Sequence, residues 1–230
     1  MTAQVGGAHP TGLLGFAVMP SQATKLQAKA KTPGVPRLKS ERPRPYPITV
    51  EMFDKMIAAG VFPPKNRIYL WNGRLVKKMT KNNPHIYAQE CIVERVRALI
   101  PPGWFTEQDQ PLVLGEKSLP EPDLKIVKGI RKDFLSKRPQ GSDVCLVVEV
   151  SDSSLPLDTR SRLRKYAGAK IPIFWVVNIP DARIEVYTDP TGPDRSPAYR
   201  SRRDYGLEEE VPVILDGREV GKIAVKDVLP

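Results

Sequence analysis

Two acids stand where acids are costly. Asp123 lies in "LPEPDLKIV" (119–127) and Glu149 in "DVCLVVEVS" (143–151), each within a stretch that is otherwise strand-like and apolar. An ionised carboxylate buried without a partner costs several kcal/mol or is driven to protonate. Glu149 follows four apolar residues, Cys145 to Val148, and so sits well inside its strand. Asp123 follows Pro122, which forces an extended backbone and offers no ladder donor. If the two strands are neighbours, their carboxylates converge and repel. A divalent cation such as Mg²⁺ or Mn²⁺ removes that conflict, because it takes one or two carboxylates and keeps the rest of its shell for water and phosphate oxygens. Held beside a phosphodiester, such an ion neutralises charge and acidifies a water. For either acid alone, an edge position or a structural ion pair explains it as well.

The surrounding elements decide which case holds. "VCLVVEV" and "IPIFWVVNI" are continuous apolar strands, and the helix "DTRSRLRKYAGAK" lies between them, which makes a βαβ-like unit with both sheet faces covered. "PLVLG", "DLKIV" and "ARIEVYTD" also read as strands. Asn72-Gly73 and Asp216-Gly217 mark hairpins in "RIYLWNGRLVKKM" and "VPVILDGREVGKIAV". Two helices precede the strand-rich part. The first follows the cap Thr49 and buries a stripe of Met52, Phe53, Met56 and Ile57. The second turns Ile86, Ile92, Val93, Val96 and Leu99 inward and stops before Pro101. The expected class is therefore α/β (α+β), a mixed central sheet flanked by helices with hairpins at its edges.

The chain has 230 residues and a net charge of +10. Residues 1–45 hold seven Lys/Arg and one acid, so six of those ten charges belong to a Pro/Ala-rich leader expected to be disordered. The folded domain is assigned to 46–230, and its moderately basic balance suits a polyanionic substrate. No run of eighteen apolar residues occurs, so no transmembrane helix is expected. Two cysteines, Cys91 and Cys145, form neither a disulfide framework nor a CxxC knuckle, which points to the cytoplasm. The only histidines are His9 and His85, which argues against a His/Cys zinc site.

"PEPD", then "LVVEVSDSSLPLD", "KYAGAKIPIFWVVN" and "EVYTDP", resemble the Uma2-type proteins, restriction-endonuclease-like members of the PD-(D/E)xK nuclease superfamily. The resemblance spans roughly 46–230. It implies a restriction-endonuclease-like mixed sheet and a metal-dependent phosphodiesterase that acts on DNA, with Asp123 and Glu149 as Mg²⁺ or Mn²⁺ ligands. Cutting both strands of a duplex would suit a homodimer.

The chain departs from the pattern in two places. The superfamily lysine stands two residues after the second acid, and here that residue is Ser151. Arg162, four residues after Asp158, matches the cation that relatives carry on the following helix. Lys165 and Lys125 are further candidates, Lys125 because it shares a strand face with Asp123 by alternation. The hairpin also has Tyr69, Asn72 and Arg74 where relatives often carry acids, and Glu90 and Glu94 are possible third ligands. Lys77, Lys78, Lys81 and His85 form a candidate nucleic-acid contact, with "SDSS" (151–154) as further hydroxyls or turn residues. The alternative to catalysis is a nuclease fold that binds nucleic acid or protein without cutting. A third possibility is an assembly role for the terminal hairpin and leader.

Overall fold

A computed structural model describes residues 45–63, 67–152 and 158–230, without the side chains of Asp158 and Thr159. The expected leader lies outside the described residues, apart from Pro45. Helix α1 (Val50–Ala58) is capped by Thr49, whose hydroxyl accepts from the Met52 N–H at 3.2 Å. The chain continues as β1 (Ile68–Trp71), β2 (Arg74–Lys77), α2 (Asn83–Leu99), β3 (Trp104–Glu107), β4 (Leu124–Lys128) and β5 (Val144–Ser151). A π-helical turn, Asp158–Arg162, leads into α3 (Leu163–Gly168). Then come β6 (Ile173–Asn178), β7 (Arg183–Pro190), β8 (Tyr199–Gly206), β9 (Glu210–Leu215) and β10 (Arg218–Ala224).

The six strands β3–β4–β5–β6–β7–β8 form the central sheet in chain order. β5 and β6 are parallel and the other neighbours antiparallel. The one parallel pair needs a crossover, and α3 supplies it, so the βαβ expectation holds. The β1–β2 and β9–β10 hairpins form two separate small sheets. Their Asn-Gly and Asp-Gly turns carry positive φ at both residues, 50° and 74° in the first, 47° and 77° in the second. A Cβ on Gly73 would lie 2.8 Å from the Pro47 Cβ, and Gly73 O accepts from the Ile48 N–H at 3.0 Å. Glycine is therefore needed there both for its φ and for the close approach of the preceding chain.

Alternation along the strands divides the core. One face sends Leu124, Ile126, Leu146, Val148, Trp175 and Val177 against α2 and the β9–β10 hairpin. The other sends Val127, Val147, Phe174 and Val176 against Tyr166 of α3. Each fully buried aliphatic side chain contributes about 1.5–3 kcal/mol. Truncating the wholly buried Trp175 to alanine would cost roughly 3–5 kcal/mol.

Three local expectations change. "PLVLG" is not a strand: Val113 makes only an isolated bridge to Gln140, while Leu112 and Leu114 anchor a loop by apolar burial. Met52 and Ile57 of α1, and Ile86 of α2, are exposed, while α1 buries Phe53 and α2 turns Ala88, Gln89, Ile92, Val93 and Val96 inward. β3 and β8 are strands without a sequence signal; β8 reads YRSRRDYG and buries only Tyr205. Among the described residues no helix is long and apolar enough to cross a membrane.

Candidate functional site

Register brings the two acids together. Leu124 pairs with Val148 across antiparallel β4 and β5, so the next position outward sets Asp123 opposite Glu149 on one face. Both are buried, at 4% and 2% exposure, and both line one cleft of about 320 Å³. Strand β4 begins just after Asp123 because Pro120 and Pro122 cannot donate to a ladder, and the carboxylate serves as an acceptor for the neighbouring strand. Asp123 Oδ2 accepts from the Val150 N–H at 2.8 Å, a bond from side chain to the neighbouring strand.

The other Asp123 oxygen faces cations. Lys81 Nζ is 2.8 Å from Oδ1 and His85 Nε2 is 3.3 Å away. Burial by itself raises this carboxyl's pKa. The His85 hydrogen bond and the positive charges of Lys81 and His85 outweigh burial and hold the group far below the usual carboxylate range. His85 is placed by the start of α2, where the Asn82 side chain caps its N–H at 3.0 Å. One turn further along α2, Gln89 donates to the Asp123 backbone carbonyl at 3.0 Å.

Glu149 is held from α3. Tyr166 donates its hydroxyl to Oε1 at 2.5 Å, and Arg162 Nη1 pairs with the same oxygen. Arg162 and Tyr166 are four residues apart, so a helical turn projects both toward β5. Ser151, in the superfamily lysine's position, is buried on the same face as Glu149 by alternation.

Lys77, Lys78, Lys81 and His85 all line the cleft, with Arg162. Two lysines singled out with them stand elsewhere. Lys125 does share the Asp123 face, but it is fully buried and lines neither described cavity. Its Nζ donates to Gln110 O at 2.8 Å and lies 2.8 Å from Glu107 Oε2, a charge contact in which that oxygen accepts no directed hydrogen bond. Burial lowers the Lys125 pKa, against the opposing pull of Glu107 and Glu121. Lys165 lines a separate groove. Glu90 and Glu94 are exposed and outside the cleft. Ser153 and Ser154 lie outside the described residues.

Several residues of the site carried no motif. Asp109 accepts from Lys78 at 2.7 Å, from Lys81 at 2.8 Å and from Gln89 at 3.1 Å, and Glu121 pairs with Lys78 at 3.2 Å. Burial raises the Asp109 pKa, and the two lysines overcome it to give a lowered value. Asn82 also donates to Asp152, which tethers the head of α2 to the end of β5. Glu121, two residues before Asp123, could have been found from alternation. Asp109 could not, because it sits at a positive φ in a loop.

The donor set suits a hard divalent cation. Two carboxylates from adjacent strands meet at one polar cleft, which is the protein contribution Mg²⁺ or Mn²⁺ commonly takes. Among the described residues no group of three or more His, Cys, Asp or Glu is arranged to hold a metal, so the two facing carboxylates are the anionic ligands those residues offer.

A mixed sheet crossed by one βαβ unit, with facing acids on the antiparallel strands β4 and β5 beside its parallel pair, defines a nuclease-like α+β scaffold. The chain belongs to the Uma2 family, described as "Putative restriction endonuclease", whose pattern it matches over residues 50–219. No curated protein matches it. Among solved structures it is similar to "a putative nuclease belonging to DUF820 from Anabaena variabilis ATCC 29413", with a TM-score of 0.58 and 14% identity over 79% of this chain and 97% of that one. At that identity the likeness shows the fold.

Proposed function

We propose that the chain is a divalent-cation-dependent hydrolase of phosphodiester bonds in DNA. The observation that carries this reading is the pairing of Asp123 and Glu149 across β4 and β5, both facing one cleft rimmed by lysines. Asp123 and Glu149 would hold Mg²⁺ or Mn²⁺, which when bound supplies charge neutralisation and a more acidic water. Tyr166 fixes the Glu149 carboxylate by its hydrogen bond. Beside His85, which hydrogen-bonds Asp123, Lys81 and Arg162 are the cations at the acids. They supply charge against the phosphate oxygens, where negative charge builds in the transition state. Arg162 stays protonated and acts as a charge stabiliser rather than a base. Lys81 brings an ammonium to Asp123 from the β2–α2 connection, which offsets the serine at position 151. Belonging to a family described as "Putative restriction endonuclease" supports the same reading.

The test is cleavage of plasmid and linear duplex by the full chain with Mg²⁺ or Mn²⁺. Nicking that disappears in Asp123→Asn and on chelation is the expected result. Intact DNA across both metals and a broad pH range would contradict it.

One observation favours a second reading. Both acids are already matched by cations of the chain itself, Asp123 by Lys81 and Glu149 by Arg162. A fold that binds nucleic acid without cutting would need no more than that. Salt-sensitive DNA binding with neither cleavage nor Mn²⁺ uptake is its signature.

A further inference from the structure

The turn Asp158–Arg162 and helix α3 have two sides. Arg162 and Tyr166 reach Glu149 in the cleft. Arg160, Arg164 and Lys165 face a second, larger groove of about 810 Å³, which runs between this helix, Asn72 of the first hairpin turn and residues 196–198 of the β7–β8 connection. Among the described residues no acid lines it. Arg160 and Arg164 are exposed and have no carboxylate partner among the described residues. Lys165 is the informative member. Its ammonium is partly buried, donates to Asn72 Oδ1 at 2.5 Å and lies 5.7 Å from the centre of the Trp71 ring. Trp71 is itself fixed by its Nε1 donating to Ser161 Oγ at 3.3 Å. Partial burial lowers the Lys165 pKa, and no carboxylate of the described residues opposes that shift. A cation pre-positioned by an amide and a ring, flanked by two arginines and met by no acid among the described residues, is a receptor for an anion.

We propose that this groove holds the phosphodiester backbone of the DNA strand flanking the bond at the Asp123–Glu149 cleft. The inference rests on the hydrolase reading for its choice of partner. The occupant is backbone rather than base: the Trp71 face is already covered by Lys165, and the remaining contacts are charges without a base-edge pattern. One short helix then serves both places, with Arg162 toward the reacting phosphate and Arg160, Arg164 and Lys165 toward its neighbours. Binding through the groove is therefore indifferent to sequence and steeply dependent on salt.

The experiment measures affinity for short labelled DNA duplexes of unrelated sequence over a range of salt, in the full chain carrying Asp123→Asn so that nothing is cut. Adding Arg160→Gln and Arg164→Gln, both at exposed positions, should weaken binding equally for all sequences. It should also lower the slope of log affinity against log salt by about 1.8, at ~0.9 per lost contact. Lys165→Gln should lower it by a further ~0.9. In the otherwise unsubstituted chain, Arg160→Gln/Arg164→Gln should raise KM for cleavage and leave kcat in place. Arg160→Glu/Arg164→Glu should weaken binding more than the glutamines do. An unchanged slope and affinity, while the unsubstituted chain still cuts DNA, overturns the groove and leaves the hydrolase reading standing. Loss of slope in a chain that never cuts DNA upholds the groove and removes the hydrolase reading. No binding by any form overturns both.

Discussion

The same face of the same sheet carries two buried glutamates, two strands apart, and they differ in what surrounds them. Glu149 of β5 accepts from Tyr166 and pairs with Arg162. Glu185 of β7, also 2% exposed, accepts from Tyr187 at 2.6 Å and Asn178 at 2.8 Å, and pairs with Arg183 and Arg202 at 3.3 and 3.2 Å. Residue for residue the two sets are nearly alike: an acid, a tyrosine and arginine. Glu185 nevertheless lines neither described cavity, and Val176 separates it from Glu149 along the register. Glu149 has a second acid opposite and a cleft above both. A buried acid with its arginine is therefore a structural unit by default. It is the second carboxylate and the open space that make one of these two a candidate for chemistry.

The largest effect expected from this contrast is on turnover. Glu149→Gln should reduce metal-dependent cleavage by about 10²–10³-fold, the scale on which removing a group that stabilises transition-state charge acts. Glu185→Gln should leave the rate per folded molecule unchanged. Equal losses in both, measured on DNA with folding checked by circular dichroism, would erase the distinction. Next in size is stability. Glu185→Gln removes the charge that Arg183 and Arg202 surround, and should cost about 1–3 kcal/mol in urea unfolding. That is below the 3–5 kcal/mol of a fully buried broken pair, because both arginines are partly solvated.

Lys125 extends the test. Lys125→Met alone leaves Glu107 with an unmatched charge and should destabilise by roughly 2–4 kcal/mol. Adding Glu107→Gln should recover much of it, with cleavage retained in the double variant. Loss of cleavage in a stably folded Lys125→Met/Glu107→Gln chain would instead return Lys125 to the chemistry. The smallest effect is with pH. The folded pKa of Asp123 is depressed below its unfolded value, so its contribution is complete above about pH 4 and is lost as pH falls through the folded value. Acid titration of stability should therefore be shallower below pH 4 in Asp123→Asn than in the unsubstituted chain. Superimposable acid limbs would contradict that assignment.

The parts of this site that could be read from the sequence follow physical periodicity. Asp123 and Glu149 were visible because an acid interrupts an apolar strand, and the βαβ unit because two such strands flank a helix. Asn72-Gly73 and Asp216-Gly217 located their hairpins through required φ values. Alternation correctly put Lys125 on the Asp123 face, but two residues along a strand is about 6.6 Å, enough to carry it from the cleft into the sheet interior. Lys81 looked like one of three surface lysines. Only the fold of the β2–α2 connection over the sheet brings its ammonium to Asp123. Asp109 and the edge strand β8 had no periodic signal, one being a loop residue at positive φ and the other a run of solvated charges.

The central claim is that Asp123 and Glu149 share one divalent cation. Titration of the full chain with Mn²⁺, followed by electron paramagnetic resonance of the free ion, tests it without reference to any substrate. The account predicts one bound Mn²⁺ per chain, lost in Asp123→Asn and in Glu149→Gln and retained in Glu185→Gln. No Mn²⁺ uptake by the unsubstituted chain, or uptake that survives both substitutions at the cleft, would contradict it.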